Sequence, residues 1–357
     1  MDQRLQLLRE ISEIPGVSGF EGEVRRYIAG KMQGISQVST DNLGSVICKK
    51  VGSSESPRIM MAGHMDEIGM MVTLITKDGF LKFQTLGGWW TQVMLAQRVH
   101  VMTRKGAVLG IIGSKPPHIL RPEERNKTVE TSDMFIDVGA SSKEDAESMG
   151  ITPGDPVVPV SPFAEMTNPK YLMGKAWDNR LGCLIGMEVV QNLQGISHPN
   201  TVYAVSTVQE EVGLRGAQTT VHTINPDIGF ALEVDIPGDT PGVKEHEAQA
   251  KLGKGPSIML YDRSMIAHKG LRDFVIDTAK AAGIPLQFNS MPGGGTDAGA
   301  MHTNQSGVPS LVVAVPTRYI HSHAGIIHRD DVDAAIALMT EVCKKLDASA
   351  AEAIKRT

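Results

Sequence analysis

The stretch Arg58-Ile-Met-Met-Ala-Gly-His-Met-Asp-Glu67 sets the interpretation of the whole sequence. Its first part, residues 58–62, contains four consecutive apolar residues, which is typical of a strand covered on both faces. His64, Asp66 and Glu67 follow directly. Because ligands of open α/β sheets bind beyond the carboxyl ends of the strands, this stretch predicts a functional site at the end of a buried strand.

Similar apolar segments alternate with helical patterns through much of the chain. This alternation predicts an α/β fold with a mainly parallel sheet and helices on both faces. The predicted strands of this part are 45–49, 58–62, 201–208, 228–234 and 310–315, and the predicted helices include 181–193, 271–282 and 332–346.

The sequence pattern changes between residues 68 and 161, where short segments typical of β-strands are separated by Gly and Pro. The predicted strands there are 70–76, 80–85, 98–103, 107–112, 134–138 and 156–160. We therefore predict a small β-barrel-like domain, residues 68–161, inserted into a catalytic domain formed by 1–67 and 162–357. Residues 115–132 are polar and aperiodic, so we expect a mobile loop there.

Composition excludes several classes of protein. The 357 residues carry a formal net charge of -5, so the composition gives no sign of the basic surface that binds nucleic acid. No apolar run approaches the roughly 18–20 residues of a membrane span, and residues 1–5 lack the apolar core of a signal peptide. The three cysteines, Cys48, Cys183 and Cys343, lie far apart and suit free thiols in a reducing compartment. We expect a cytoplasmic protein without nucleic-acid or membrane partners.

Polar residues also lie at or just after the ends of four further predicted strands, 171–174, 201–208, 228–234 and 310–315. They are Asp178, the pair Glu210 and Glu211, the pair Glu233 and Asp235, and the pair His321 and His323. Each has a plain alternative when taken alone, because an Asp before a helix is an ordinary N-cap and an acidic pair is an ordinary solvated turn.

Their coincidence indicates a metal site. His64 and Asp66 are two apart on an extended segment, so Asp66 could accept a hydrogen bond from the ring nitrogen that does not bind metal. Four to six such side chains exceed what one zinc ion needs and match a site for two divalent ions that share a carboxylate. A mixture of imidazole and carboxylate suits zinc, cobalt or manganese, and we expect zinc or cobalt.

Three consecutive glycines mark a further candidate element, Met291-Pro-Gly-Gly-Gly-Thr-Asp-Ala-Gly299. Backbone without side chains allows a substrate to approach closely and to meet N–H groups. No Gly-Lys-Ser/Thr follows, which argues against a phosphate loop. We predict substrate contacts from Gly293, Gly294, Gly295 and Thr296, with a plain flexible loop as the alternative.

Taken in order, these motifs resemble the family of glutamyl aminopeptidases and TET aminopeptidases, which are dinuclear metallopeptidases with some endoglucanase-named members. The resemblance rests on Gly-His-Met-Asp-Glu-Ile-Gly, Ala-Trp-Asp-Asn-Arg, Gln-Glu-Glu-Val-Gly-Leu-Arg-Gly, Gly-Gly-Gly-Thr-Asp-Ala-Gly and Arg-Tyr-Ile-His-Ser. It covers nearly the whole chain, and the ordered set is far more specific than any single motif.

The resemblance implies a role for each matching residue. His64 would bind one metal ion with Asp66 orienting it, Asp178 would bridge both ions, Glu210 would act as general base and acid, Glu211 would be a ligand, and His321 would bind the second ion. His323 is the alternative to His321 as the ligand of the second ion. The remaining ligand falls at Glu233, where relatives often have Asp, so Asp235 competes with it.

The resemblance also implies an activity and an assembly. We expect removal of N-terminal residues from short peptides, with a water activated by two metal ions and a Glu general base. Dimers formed through the inserted domain would assemble into a twelve-subunit tetrahedral shell, with the loop 115–132 reaching toward neighbours. The alternatives are another dinuclear deacylase on the same scaffold, a glycosidase, and a non-enzymatic shell-forming protein.

Overall fold

A computed structural model describes residues 2–357. Its helices are α1 (Gln3–Glu13), α2 (Gly22–Met32), α3 (Lys143–Ser148), α4 (Trp177–Asn192), α5 (Arg215–Ile224), α6 (Lys269–Ala282), α7 (Asp297–His302), α8 (Arg329–Lys345) and α9 (Ala348–Lys355). In this described part of the chain, no helix combines the length and hydrophobicity needed to cross a membrane.

The strands fall into an 11-stranded sheet and a closed barrel. The sheet contains β1 (Gln37–Thr40), β2 (Val46–Val51), β3 (Arg58–His64), β10 (Ala164–Glu165), β11 (Tyr171–Gly174), β12 (Thr201–Thr207), β13 (Ile228–Asp235), β14 (Ser257–Asp262), β15 (Gln287–Met291), β16 (Ser310–Arg318) and β17 (Gly325–His328). The barrel contains β4 (Gly69–Ile75), β5 (Leu81–Leu86), β6 (Arg98–Thr103), β7 (Gly106–Gly113), β8 (Phe135–Asp137) and β9 (Pro156–Pro159).

The centre of the large sheet is parallel, as the sequence predicts. Neighbouring strands β12, β3, β13 and β16 all run in one direction, whereas β2, β17 and β11 join the margins in antiparallel pairs. All eight residues of β13 are buried, because helices cover the sheet. The parallel register sets Thr207 opposite His64, so the segments that follow β12 and β3 emerge side by side.

Helices complete the α/β architecture. α4 packs on β3, β12 and β13 and also contacts α1 and α8, whereas α5 and α7 contact each other and the same central strands. The predicted fold class is therefore confirmed, with a mostly parallel sheet between helices.

The inserted β-rich segment is a closed barrel in the strand order β4-β5-β8-β7-β6-β9. A separate apolar cluster that includes Met70, Val72, Val101 and Ile136 fills it. The predicted barrel is thus confirmed, while its domain limits and its role in dimerisation stay predictions. The loop 115–132 contains one short 3-10 helix, Pro117–Ile119, and another, Thr131–Asp133, begins at its end.

Sequence patterns missed several short elements. β15, β17 and α5 lack a long apolar run, and four of the five residues of β15, which lies at an edge of the sheet, are half-buried or exposed. β14 does contain the apolar run 258–261 and could have been predicted. Asp178, which could have been a helix cap, instead lies inside the first turn of α4 with non-helical backbone angles. That distortion turns its carboxylate away from a regular helical position.

Two glycines allow α4 to approach the sheet closely enough to bring Asp178 near β3. A Cβ atom on Gly182 would lie 2.0 Å from the carbonyl oxygen of Leu232, and one on Gly63 would lie 2.4 Å from the carbonyl carbon of Gly182. Neither contact involves a flexible side chain that could move aside. The distance between the start of α4 and the end of β3 therefore depends on both glycines.

We predict that Gly182→Ala destabilises the fold by about 1–3 kcal/mol, because the added methyl group must push α4 away from β13. The measurement is thermal unfolding of the purified protein. Gly30→Ala is the matched control, because Gly30 is also helical but a Cβ atom added to it would have no neighbour within 4 Å. The control should gain about 0.5–1 kcal/mol from helix propensity. Equal midpoints for the two variants would contradict the close-packing argument.

Candidate active site

The carboxylate of Asp178 lies between two imidazole rings. Its Oδ1 is 3.1 Å from Nε2 of His64, and its Oδ2 is 3.3 Å from Nε2 of His321. His64 ends β3, whereas His321 follows β16, so the two rings come from different strands. Each oxygen of a single carboxylate thus faces a different potential metal ligand.

Main-chain carbonyl groups fix the protonation of both rings. Nδ1 of His64 lies 2.9 Å from the carbonyl oxygen of Asp66, and Nδ1 of His321 lies 2.6 Å from that of Gly88. Because a carbonyl oxygen only accepts hydrogen bonds, each Nδ1 carries the proton. Each Nε2 is therefore left to face Asp178, which is the arrangement a metal-binding histidine needs.

The Asp66 carboxylate does more than orient His64, which is the role that the sequence suggests for it. Its Oδ1 is 3.4 Å from Nδ1 of His64, farther than the Asp66 carbonyl, so the main chain provides the shorter contact to the ring. The carboxylate accepts hydrogen bonds from the Ser18 hydroxyl at 2.6 Å and from the N–H groups of Glu210 and Glu211 at 3.0 and 3.2 Å. Asp66 thereby fixes the backbone that follows β12.

The predicted glutamates converge on the same point. Nε2 of His64 is 3.7 Å from Oε2 of Glu210, and Nε2 of His321 is 3.4 Å from Oε1 of Glu211. Two sets of potential ligand atoms lie within 4.8 Å of one another: His64 with Glu210 and Glu233, and His64 with Asp178 and Glu211.

Asp235 is engaged elsewhere. Its Oδ2 accepts a 2.6 Å hydrogen bond from the Ser257 hydroxyl, and its Oδ1 accepts a 2.8 Å hydrogen bond from the Asn289 amide. Within residues 2–357, Asp235, His321 and His323 are absent from both sets of potential ligands, but Nε2 of His321 still lies within 3.4 Å of the carboxylates of Asp178 and Glu211. Of the two competing residues, Glu233 belongs to one of these sets and Asp235 does not.

Burial makes this concentration of acid groups unfavourable without a cation. Burial, together with neighbouring carboxylates, raises the pKa of Glu210 and of Glu233 well above the usual range. Burial and the charge of Asp178 raise the pKa of Glu211 to about 7. Burial opposes protonation of His321, yet Asp178 and Glu211 raise its pKa to about 10.

The donor set fits divalent metal ions. Oε1 of Glu233 is buried and accepts no hydrogen bond from any described residue, and the same holds for Oε1 of Glu211. Buried carboxylate oxygens normally accept hydrogen bonds, so these two atoms are available to bind a cation. Imidazole and carboxylate together suit zinc-like ions.

A cavity of about 1070 Å³ opens onto this cluster. The predicted substrate-contact residues Gly293, Gly294, Gly295 and Thr296 line its wall. Thr296 precedes α7 without capping it by a side-chain hydrogen bond, and its hydroxyl instead donates to Asp262 at 2.8 Å. The glycine loop is therefore held to the end of β14, on the wall where a substrate would lie.

Sequence patterns missed several buried polar residues around the cluster. Lys175 donates to both carboxylate oxygens of Glu67, at 2.6 and 2.8 Å, immediately behind the site. Thr207 donates to Asp297 at 2.6 Å, which ties the helix after the glycine loop to the end of β12. Lys175, Glu67 and Asp297 all lie within the matched motifs or next to them, but their pairing is visible only in three dimensions.

Known proteins resemble this chain over nearly its whole length. The model of the family described as M42 glutamyl aminopeptidase matches residues 44–338. The glutamyl aminopeptidase of Lactococcus lactis is 37% identical over 98% of this chain and 98% of its own length. The lysyl aminopeptidase of Pyrococcus furiosus is 35% identical over 96% and 97%.

Solved structures share the whole fold. A TET aminopeptidase from the marine sediment archaeon Thaumarchaeota archaeon SCGC AB-539-E09 has 53% identity and a TM-score of 0.97 over 99% of both chains. The TET1 peptidase of Pyrococcus horikoshii, which can assemble into a tetrahedron or a large octahedral shell, has 32% identity and a TM-score of 0.87 over 96% and 99%. A Thermotoga maritima protein described as an endoglucanase has 31% identity and a TM-score of 0.79 over 97% and 99%.

The family model covers most of the chain, and both relatives described above, which match this chain over nearly their full length, are named as aminopeptidases. Divalent metal use is a general property of this family, in agreement with the imidazole and carboxylate cluster. The chain belongs to the M42 glutamyl aminopeptidase family and is a metal-dependent aminopeptidase.

Proposed function

We propose that this aminopeptidase uses two divalent ions, zinc or cobalt, held on either side of Asp178. His64, Asp178 and Glu233 would hold one ion, and Asp178, Glu211 and His321 the other. The observation that carries this proposal is the Asp178 carboxylate, whose two oxygens face the Nε2 atoms of two different histidines at 3.1 and 3.3 Å.

When bound, such ions lower the pKa of a water molecule and polarise the carbonyl group of the first peptide bond. Glu210 supports this chemistry as general base and acid. Its N–H is held by Asp66, and its carboxylate lines the cavity. Oε2 of Glu210 would accept a proton from the attacking water and deliver it to the leaving amine.

The cavity favours peptides with a free amino terminus. The amino terminus of a bound peptide would lie close to the metal-binding cluster at the floor of the cavity, and the wall contains the backbone of Gly293–Gly295, whose N–H groups could meet the peptide main chain. We propose short peptides as the substrates. Glutamyl and lysyl activities among the relatives indicate that the side-chain preference varies within the family, so it has to be measured here.

We predict that the protein releases p-nitroaniline from aminoacyl anilides and leaves the N-acetylated forms intact, because the acetyl group takes away the free amine on which an aminopeptidase acts. Chelation should abolish release, and added zinc or cobalt should restore it. A panel of paired free and acetylated anilides measures both effects. Cleavage of the acetylated substrates would instead support a deacylase, and cleavage of a β-glucan with none of the anilides would support a glycosidase.

We predict that Glu210→Gln lowers kcat by about 10²–10⁴-fold while both metal ions stay bound, because the variant keeps the shape of the side chain but cannot take up a proton. Steady-state kinetics and metal analysis of the purified variant test this. Glu55→Gln, at a side chain that is 75% exposed, is the control and should match the unaltered protein. Near-normal kcat in Glu210→Gln would rule out its role as the base.

We propose a cytoplasmic dodecamer built from dimers that form through the inserted domain. The tetrahedral shell of TET1 supports this assembly, and the three buried free cysteines agree with a reducing compartment. Leu109 and Ile111 expose 55% and 45% of their surface on one face of barrel strand β7, and this apolar face would be covered in a dimer.

We predict that the protein sediments at twelve times the 38.4 kDa mass of the chain and that Leu109→Glu lowers this mass, because a buried charge would destabilise the barrel interface. Sedimentation velocity measures the mass. Leu43→Glu, at a residue that is 46% exposed outside the barrel, is the control and should leave the assembly intact. A monomeric unaltered protein would contradict the proposed assembly.

A further inference from the structure

The inserted barrel contacts the candidate metal site through one turn. Gly87 and Gly88 follow barrel strand β5 directly, and the Gly88 carbonyl oxygen accepts the 2.6 Å hydrogen bond from Nδ1 of His321. His321 belongs to the segment between β16 and β17 of the large sheet. The barrel and the large sheet therefore meet at a side chain that faces Asp178 and Glu211.

The turn fits closely, because Gly87 has no room for a side chain and a side chain on Gly88 would press against the ring of His321. Gly87 has a φ of +84°, and a Cβ atom on it would lie 2.6 Å from Cγ2 of Ile68 and 2.9 Å from Oε2 of Glu211. A Cβ atom on Gly88 would lie 3.1 Å from Nδ1 of His321. The backbone of this turn thus contacts two of the candidate ligands.

The barrel also holds the turn in place. Leu86, the residue before the turn, pairs with Gly69 across strands β5 and β4. Directly after the turn, the indole N–H of Trp89 donates to the Gly69 carbonyl oxygen at 3.0 Å. Both ends of the turn are therefore attached to the same point of β4, which keeps the Gly88 carbonyl in a defined position.

The contact has a chemical consequence for His321. Its side chain is 37% exposed, so surrounding packing alone restrains it less than the 2% exposed His64. The Gly88 carbonyl fixes the proton on Nδ1 and directs Nε2 toward Asp178 and Glu211. Partners of this kind commonly change metal affinity about 10–100-fold when they are altered.

We propose that the Gly87–Gly88 turn of the inserted barrel is a positioning element of the metal centre, which orients His321 for metal binding. This inference rests on the proposed role of His321 as a metal ligand. The barrel then has a part in catalysis in addition to any part in assembly. A turn that only fills space would affect the stability of the metal-free protein and leave the affinities of its two metal sites alike.

The test compares metal binding by Gly88→Ala with that of the unaltered full-length protein. Zinc is titrated against a chromophoric chelator to obtain the affinity of each site, and the visible spectrum of the cobalt-loaded protein reports coordination geometry. We expect one site to weaken about 10–100-fold with a changed cobalt spectrum, while the other site keeps its affinity. We also expect kcat to fall more than KM changes.

Gly139→Ala is the matched control, because Gly139 is also in the inserted segment and has space for a Cβ atom, although its φ is +75°. Backbone strain alone should therefore lower its melting temperature without changing either zinc affinity. Trp89→Phe is measured as well, and takes the place of Gly88→Ala if that variant does not fold, because it removes the N–H that anchors the turn, keeps an aromatic ring and adds no atom beside His321. Unchanged zinc affinities and cobalt spectrum in the folded variant would overturn the inference.

His321→Ala separates this inference from the proposed function. Loss of one ion in His321→Ala, together with a weakened site in Gly88→Ala, supports both. Loss of one ion in His321→Ala with unaltered binding by Gly88→Ala overturns the positioning role alone. Retention of both ions by His321→Ala contradicts the ligand assignment itself.

Discussion

The close approach of buried carboxylates around Asp178 is the constraint on which the rest of the structure depends. Asp178, Glu210, Glu211 and Glu233 are gathered where water cannot solvate them fully, and two of their oxygens lack hydrogen-bond partners among the described residues. Like charges in such a place are unfavourable unless protons or cations neutralise them. Divalent ions on both sides of Asp178 would remove this repulsion, so the site is built for binding metal more than for stability without it.

The fold brings these groups together through a few short-range contacts. The segments that follow neighbouring parallel strands all begin at one edge of the sheet, which places His64 beside the chain after β12. The close contact between Gly63 and Gly182 lets α4, and with it Asp178, approach the end of β3. The Asp66 carboxylate accepts hydrogen bonds from the N–H groups of Glu210 and Glu211. Because each contact fixes backbone, the ligands need little further ordering when metal binds.

Sequence patterns predict the parts of the structure that depend on local chemistry. The run 58–62 predicts a buried strand, and the residues after it predict ligands, because strand ends meet at one edge whatever the loops between them do. Glu233 and Asp235 could not be separated in this way, since they lie two apart on one strand and differ only in their neighbours, Ser257 and Asn289. Gly88 carries no chemical signal at all, because its contribution is a main-chain carbonyl whose partner is 233 residues away.

A crystal structure of the zinc-loaded protein, with anomalous difference maps, tests most directly whether two ions lie on either side of Asp178. We expect two peaks that share the Asp178 carboxylate, with Glu233 at one of them and with Asp235 still hydrogen-bonded to Ser257 and Asn289. A single peak, or a peak contacted by Asp235 instead of Glu233, would contradict this expectation.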